Sequence, residues 1–380
     1  MRVLLAPDSF KGALSAPAVC QAMEQGIHIA LPDAVVDTLP VADGGEGTVE
    51  CVLRATGGQK VAVSVPDLFG EDMCASYGRL PDGTAVMEVA SVLSRQVLGT
   101  REPDIFRANS AGVGHMIVHA IECGVKKIVL GLGGSATNDA GIGLLHALGV
   151  RLLDFAGREL LPIPLSGLQL AHLDLRGLHP GLADVELRVA CDVTNPLCGP
   201  YGATAVFGPQ KGVTSQQIPV LDEALAQFAN VVKEDLGTSI LDLPGAGAAG
   251  GIGGALAGVL GAPLVSGIDL MLDLCAFDER VRGADLVITG EGQTDQQTVT
   301  GKVVLGVARR AKRHGVPVIA LSGAVSADAT APLHEQGVTA LFSVAHSAVT
   351  LAQAIAQTKD DLVIATQEIM RLFVAGVRHS

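Results

Sequence analysis

Tryptophan is absent from the 380 residues and tyrosine occurs twice, so the chain lacks the aromatic platforms that stack sugars or single-stranded bases. Cysteine is present but unpatterned. The seven lie at positions 20, 51, 74, 123, 191, 198 and 275, no two form C-x-x-C, and their number is odd. Such a set argues against a disulfide framework or a structural zinc site and reads as reduced, buried thiols. Positive charge is in deficit: 26 Lys and Arg face 39 Asp and Glu, a formal net charge of −13. That field repels a phosphate polymer, so no nucleic-acid partner is expected, while a few local cations and N–H groups can still hold one small anion. No run of 18 apolar residues occurs; the longest candidate, 245–265, is broken by Gly and Pro, so no membrane span is expected. The start, MRVLLAPDSFKG, has too short an apolar stretch for a leader and reads as a first strand, giving a cytoplasmic expectation. The ten His form no H-E-x-x-H, H-x-x-E-H or paired cluster, and no G-x-S-x-G is present, which disfavours His-metal and serine hydrolases.

What the chain does have is length, apolar residues and glycine. A chain of 380 residues exceeds one ordinary core, and 48% apolar residues with 47 Gly suit an α/β enzyme with many tight strand-to-helix turns. Strands are expected at 2–6 and 35–39, with helices over 16–29 and up to about 56, which is the alternation of a parallel sheet. From about 60 to 89 apolar and polar residues alternate around turns at Leu68-Phe69-Gly70 and Pro81-Asp82-Gly83, as in antiparallel strands. The helix–strand–helix pattern returns over 111–147, with the strand at 127–132; a long helix is expected over about 215–235. The last third again alternates, with strands at 284–289, 318–322 and near Leu341, a helix over 303–314 and a closing helix from Asp361. The expectation is a two-domain α/β protein. Residues 1–60 with about 284–380 form a Rossmann-like parallel α/β sheet domain. About 61–283 form an inserted mixed α/β domain, with 105–147 open to either, and a cleft lies between the two.

Several polar or Gly-rich loops adjoin the apolar strands. Asp8-Ser9-Phe10-Lys11-Gly12 ends the first strand; Asp8 can hold Mg²⁺ or accept a hydroxyl proton, and Lys11 can neutralise phosphate, the alternative being a helix cap with a solvated Lys. Asp43-Gly44-Gly45-Glu46-Gly47-Thr48 sets two carboxylates among three glycines, suited to a metal or a substrate hydroxyl. Gly131-Leu132-Gly133-Gly134-Ser135-Ala136-Thr137-Asn138-Asp139 follows a strand and opens a helix, whose free N–H groups make an anion site. The run 244–254 contains a formal G-x-G-x-x-G at Gly245, Gly247 and Gly250, but no clean βαβ unit surrounds it; close helix packing or nucleotide phosphates are the two readings. Thr289-Gly290-Glu291-Gly292-Gln293-Thr294-Asp295 offers Glu291 and Asp295 to a metal or as a base, and Lys302 follows without a Walker A spacing. Asp192, Thr194 and Asn195 follow another strand, and Lys211 sits in a rigid Gly-Pro-Gln-Lys-Gly turn; Asp and Asn also satisfy their own turns.

Taken in order, APDSFKGALSA, VADGGEGT, LGLGGSATNDAG, ACDVTNPLCGPYGA, FGPQKG, LPGAGAAGGIGGAL and ITGEGQTDQQTVTGK resemble the type I glycerate kinase family, over residues 1 to about 345. The resemblance implies transfer of the γ-phosphoryl group of ATP to D-glycerate with Mg²⁺, and 2-phosphoglycerate as product, with 3-phosphoglycerate as the alternative. It implies two small-molecule substrates, with no nucleic acid and no membrane, and leaves a homo-oligomer open. The residue types in these loops give the expected roles: Asp192, Lys11 and Asp8 in catalysis and Ser9, Asp43, Gly44, Gly45, Glu46, Thr194 and Asn195 for the substrate. Nucleotide phosphates would fall to Gly133, Gly134, Ser135, Thr137, Asn138, Gly245, Gly247, Gly250, Gly290, Gly292, Lys211 and Lys302, and the metal to Glu291 and Asp295. Two places depart from the family pattern: Gln293 stands where Arg usually follows Gly-Glu-Gly, and Met87–Leu93 lacks a Gly-Leu pair. The more distant alternative is an NAD-dependent oxidoreductase using the Gly245–Gly250 loop.

Overall fold

A computed structural model describes residues 1–99, 104–299 and 301–377; Thr300, inside the last motif, and the C-terminal 378–380 lie outside the described residues. The chain divides into two compact units. One comprises Met1–Asp43, Glu50–Thr56 and Ile268–Ser380, the other Gly44–Val49 and Gly57–Gly267. The strands in chain order are β1 (Arg2–Leu5), β2 (Val35–Thr38), β3 (Gln59–Pro66), β4 (Asp72–Arg79), β5 (Ala85–Glu88), β6 (Lys127–Gly131), β7 (Arg151–Leu153), β8 (His172–Asp174), β9 (Glu186–Ala190), β10 (Leu264–Val265), β11 (Leu286–Thr294), β12 (Val318–Val325) and β13 (Ala340–Ser343).

The first unit is built on a five-stranded sheet in the order β13-β12-β11-β1-β2, parallel at every pairing. Its central strands are short continuous apolar runs because both faces are covered. Val3, Leu5, Leu286, Ile288, Ile319 and Leu321 pack with Val19, Met23 and Ile27 of helix Ala16–Ala30 and with Leu362 and Ile369 of helix Leu351–Val377. These two helices touch backbone to backbone: a Cβ on Gly26 would lie 2.5 Å from the Val363 carbonyl oxygen. Helix Val303–Arg313 lies against β11 and β12. Its Arg310 is buried and ion-paired with Asp273, with Asp278 at 3.2 Å and with Asp269 at 3.9 Å, which fastens helices Gly267–Leu274 and Phe277–Val281 to it.

The second unit carries a six-stranded mixed sheet, β10-β9-β6-β5-β4-β3. Strands β10, β9, β6 and β5 are parallel, and β5, β4 and β3 form an antiparallel meander. The meander is what the alternating pattern over 60–89 predicted. Asp67 closes the β3–β4 turn by accepting the N–H groups of Phe69 at 2.8 Å and Glu71 at 3.0 Å. Helices Ala111–Glu122, Ile218–Leu236 and Ile252–Leu260 contribute to one apolar core with the sheet. Two elements differ from the sequence expectation. Strand β11 runs on through Gly-Glu-Gly to Thr294, because Gln293 and Thr294 stay in register with Ala324 and Val325 of β12. The closing helix begins at Leu351, not at Asp361. No helix among the described residues is long and apolar enough to cross a membrane.

Candidate active site

In the first unit the chain runs outward from β1 to β2 on one side, and the strands that return, β11 to β13, line up on the other. The order therefore reverses between β1 and β11, and ligands of open parallel sheets bind outside the strand C-termini at such a point. The ladder continues past the formal strand ends. Asp8 N–H donates to the Gly290 carbonyl at 2.8 Å, and Val41 N–H to the Pro7 carbonyl at 2.9 Å. Asp8 is half-buried, with the Ser9 N–H on its carboxylate at 2.6 Å. Burial, the charge of Asp43 and, more weakly, that of Glu291 push its carboxyl up to about 7, against the pull of the Ser9 N–H and Lys11. Glu291 is buried at the C-terminal part of β11, and its Oε1 accepts the hydroxyls of Thr298 at 2.6 Å and Thr294 at 3.1 Å. Burial raises this carboxyl too. Lys11 is exposed in the turn after Phe10, and Gly292 lies against its backbone, a Cβ there reaching 3.3 Å from the Lys11 main-chain nitrogen.

The structure thus brings Asp8, Ser9, Lys11, Asp43, Gly290, Glu291 and Gly292 to one edge of one sheet. Asp295 has a local duty as well: it accepts the Gln297 N–H at 2.8 Å and so caps the short helix Gln296–Val299. Lys302 donates to Gln297 Oε1 at 3.0 Å. Among the described residues no three His, Cys, Asp or Glu side chains form a group able to hold a metal alone. The donors fit a magnesium ion nonetheless, since Asp8, Glu291 and Asp295 offer hard carboxylate oxygens; Mg²⁺ commonly takes only one or two carboxylates and completes its shell with phosphate and water.

In the second unit the loops cluster over the C-terminal ends of β5, β6 and β9. Gly44 crosses directly above Gly131, where any side chain would overlap its carbonyl oxygen, and the Gly133 N–H donates to that oxygen at 3.4 Å. Glu88, at the end of β5 and buried, accepts the Gly47 N–H at 3.2 Å and the Val49 N–H at 2.5 Å. Glu46 is exposed and takes the Gln96 amide at 2.9 Å. Glu46, Glu88, Ala90, Ser91, Ser94, Gln96 and Val97 line a cavity of about 320 Å³. Asp192, just beyond β9, is half-buried and accepts the Gly267 N–H at 2.7 Å. Thr194 is exposed, whereas Asn195 is spent on its own turn, donating to the Tyr201 carbonyl at 2.9 Å and accepting the Gly247 N–H at 3.1 Å.

The loop after β6 departs from the expected helix-terminus site. Its helix starts only at Ile142, and the first amides are occupied: Gly143 donates to Asp139 at 3.2 Å and Leu144 to Ser110 Oγ at 2.9 Å. What faces outward is the loop tip, with Gly133 and Gly134 exposed and Ser135 half-buried; Thr137 and Asn138 are buried. Asn138 donates to Thr204 Oγ1 at 3.0 Å. Lys211 is buried, and its Nζ donates to the Thr137 carbonyl at 2.7 Å.

In the Gly-rich run 244–254, Gly245, Gly247 and Gly250 pack chain against chain. All three are buried. At Gly250, with φ +70°, a Cβ would overlap the Thr137 carbonyl and lie 2.7 Å from Asn138 Cα. The Gly247 N–H is taken by Asn195, and the Ala248 N–H by the Gly245 carbonyl at 3.0 Å. Sequence reasoning assigned no site role to Glu88, Asp139 or Ser110. Glu88 had a signal, an acid ending the apolar run Ala85-Val86-Met87; Asp139 had none beyond its place in a polar loop.

Carboxylates gathered at the switch point of a parallel sheet, in a chain with a second sheet edge covered by Gly-rich loops, define an α/β enzyme. The model of the glycerate kinase family matches residues 3–374. The glycerate kinase of Bacillus subtilis (strain 168) is 45% identical over 355 residues, 93% of each chain. The glycerate 2-kinase of Escherichia coli (strain K12) is 42% identical over 381 residues, all of each chain. A crystal structure from Salmonella typhimurium LT2, solved as a candidate glycerate kinase 2, superposes with a TM-score of 0.87 at 42% identity, covering 100% of this chain and 99% of its own. The chain belongs to the glycerate kinase family.

Proposed function

We propose that this enzyme transfers the γ-phosphoryl group of ATP to D-glycerate in the cytoplasm and releases 2-phosphoglycerate. The observation that carries the reading is the set of acids at the β1–β11 switch point, Asp8, Asp43 and Glu291 with Lys11 beside them, in a chain of this family. The full-length likeness to a protein named glycerate 2-kinase supports the 2-phosphate product. Phosphoryl transfer asks the protein for in-line positioning and charge neutralisation, with little covalent chemistry. Lys11 and Lys302 supply positive charge for the transferring oxygens. The surface tip Gly133-Gly134-Ser135 offers its backbone and the Ser135 hydroxyl to nucleotide phosphate. Magnesium held by Glu291 and Asp295 would neutralise charge building on the phosphates. The cavity beside Glu46 and Glu88 has room for a three-carbon hydroxy acid, and its carboxylates can accept hydroxyl protons. Asp192 is the proposed base. A second assignment, Asp8, is favoured by its near-neutral carboxyl, the range in which a proton acceptor works best at physiological pH.

The test is a ³¹P NMR spectrum of the product after incubation with ATP, Mg²⁺ and D-glycerate. A phosphate resonance of 2-phosphoglycerate is expected; 3-phosphoglycerate would overturn the regiochemistry, and unchanged ATP would overturn the activity. Asp192→Asn should cut kcat by about 100-fold or more if this residue takes the proton. Unchanged turnover in Asp192→Asn with loss in Asp8→Asn would move the base to Asp8.

A further inference from the structure

Lys211 is the one lysine placed among the phosphate-binding candidates by its Gly-Pro-Gln-Lys-Gly turn that the fold turns inward. It is 3% exposed, and its ammonium is bonded to a chain carbonyl, Thr137, at 2.7 Å. The turn that carries it is fixed: Lys211 N–H donates to the Gly208 carbonyl at 2.8 Å, and Gly212 follows at φ +96°. Arg95 reaches the same turn from outside, donating to the Gln210 carbonyl at 2.9 Å. Asp139, in the same loop as Thr137, acts on the lysine by charge from beyond ion-pair distance, and burial raises its own carboxyl. Asp139 is itself 1% exposed and accepts the Ser110 N–H at 2.8 Å, the Ser110 hydroxyl at 2.7 Å, and the amides of Gly141 at 3.1 Å and Gly143 at 3.2 Å.

These bonds hold the loop from beneath at residues 137 and 139, while its tip stays at the surface. The tip is coupled to the hold: Ser135 Oγ lies 3.0 Å from Thr137 Oγ1 and accepts the Thr137 N–H at 3.1 Å. Removing the ammonium would leave the buried Thr137 carbonyl without its donor, which a low-dielectric interior tolerates poorly. We propose that Lys211 is a positioning residue that fixes the Gly133–Ser135 tip from inside, through the Thr137 carbonyl and against Asp139, and does not itself touch phosphate. The inference rests on the proposed function only in taking the tip as the nucleotide-phosphate site.

Burial pulls the lysine down to about 8, with Asp139 opposing. Above that pH the neutral amine donates more weakly and no longer offsets Asp139, so the loop should loosen as pH rises. Arginine at this position stays charged throughout.

The experiment has two independent readouts on the full chain, with wild type, Lys211→Met, Lys211→Arg and Asp139→Asn. The first is amide hydrogen exchange of the 132–140 segment without nucleotide; the second is Mg-ATP affinity by calorimetry between about pH 7 and about pH 9.5. In Lys211→Met and Asp139→Asn, exchange of that segment should quicken by about tenfold or more against the rest of the unit, and affinity should fall about tenfold. The Asp139→Asn result is diagnostic, because loss of a negative charge near a direct phosphate site would tighten binding. Wild-type affinity should fall above about pH 8, and the Lys211→Arg profile should be flatter. Unchanged exchange in a folded Lys211→Met, or tighter ATP binding in Asp139→Asn, overturns the inference. If Lys211→Met does not fold, the Lys211→Arg protein decides the matter: an affinity and exchange profile that falls above about pH 8 as steeply as wild type overturns the inference. Wild type that binds no Mg-ATP while Lys211→Met exchange quickens would sink the proposed function and leave the loop-fixing role standing.

Discussion

Replacing Gly131 by alanine tests how the 44–49 loop is seated on the mixed sheet. A methyl group there would overlap the Gly44 carbonyl oxygen and sit 2.8 Å from its carbon and 3.1 Å from Gly44 Cα. Strand β6 cannot retreat, because β5 and β9 hold it on both sides through the Glu88–Gly131 and Gly131–Ala190 pairings. The loop must lift instead. Lifting it strains the two charge-assisted bonds from Gly47 at 3.2 Å and Val49 at 2.5 Å to Glu88. Such bonds contribute about 1.5–3 kcal/mol each, and alanine returns about 1 kcal/mol by stiffening the unfolded chain. The net expectation is a loss of about 2–5 kcal/mol, readable by denaturant titration, with faster amide exchange at Gly47 and Val49. Glu88→Gln should speed the same two amides without any steric clash. A Gly131→Ala protein within about 0.5 kcal/mol of the parent, with both amides still protected, would refute the seating argument.

Two further outcomes follow from charges in the parallel-sheet unit. With divalent cations removed, Asp8 holds a proton in the folded state up to about pH 7 but ionises near 3.8 when unfolded, so stability falls as pH rises through that window. Asp8→Asn should therefore add at most about 4 kcal/mol of stability at pH 8, seen as a higher melting temperature, and change little near pH 4; equal effects at both would contradict the assignment. Arg310→Met should destabilise this unit by about 1 kcal/mol or more, since Asp269, Asp273 and Asp278 lose their shared cation but stay partly in solvent, and a neutral result in a calorimetric melt would show that the cluster is not coupled.

The parallel strands were legible because burial on both faces leaves continuous apolar runs such as Val3-Leu4-Leu5 and Leu286-Val287-Ile288. The β3–β4–β5 meander showed itself by alternation and by turns at Asp67–Gly70 and Pro81–Gly83. The continuation of β11 to Thr294 was hidden, because Gly-Glu-Gly reads as a loop until its pairing with β12 is known. The run 244–254 shows a deeper limit. A glycine needed where chain meets chain and a glycine needed where chain meets phosphate are the same residue for the same steric reason, and only the fold says which neighbour is present. Lysine carries a similar ambiguity: Lys11 is exposed and Lys211 buried, yet both stand in glycine-bearing turns. Glu88 escaped notice because its partners, Gly47 and Val49, lie about forty residues upstream.

The seating of β1 between β2 and β11 also bears on how the chain is made. Val3 pairs with Leu286, so the amino-terminal strand leaves the ribosome with only one of its two neighbours in reach. At roughly 5–20 residues per second, the other arrives about 15–55 s later. Until then the first β-strands present an open edge to solvent, while the residues from 57 to 267, made in one continuous stretch, can already condense. Synthesis order therefore favours the mixed-sheet unit as the first to fold and leaves the nascent amino terminus as the part most exposed to chaperones and misassembly.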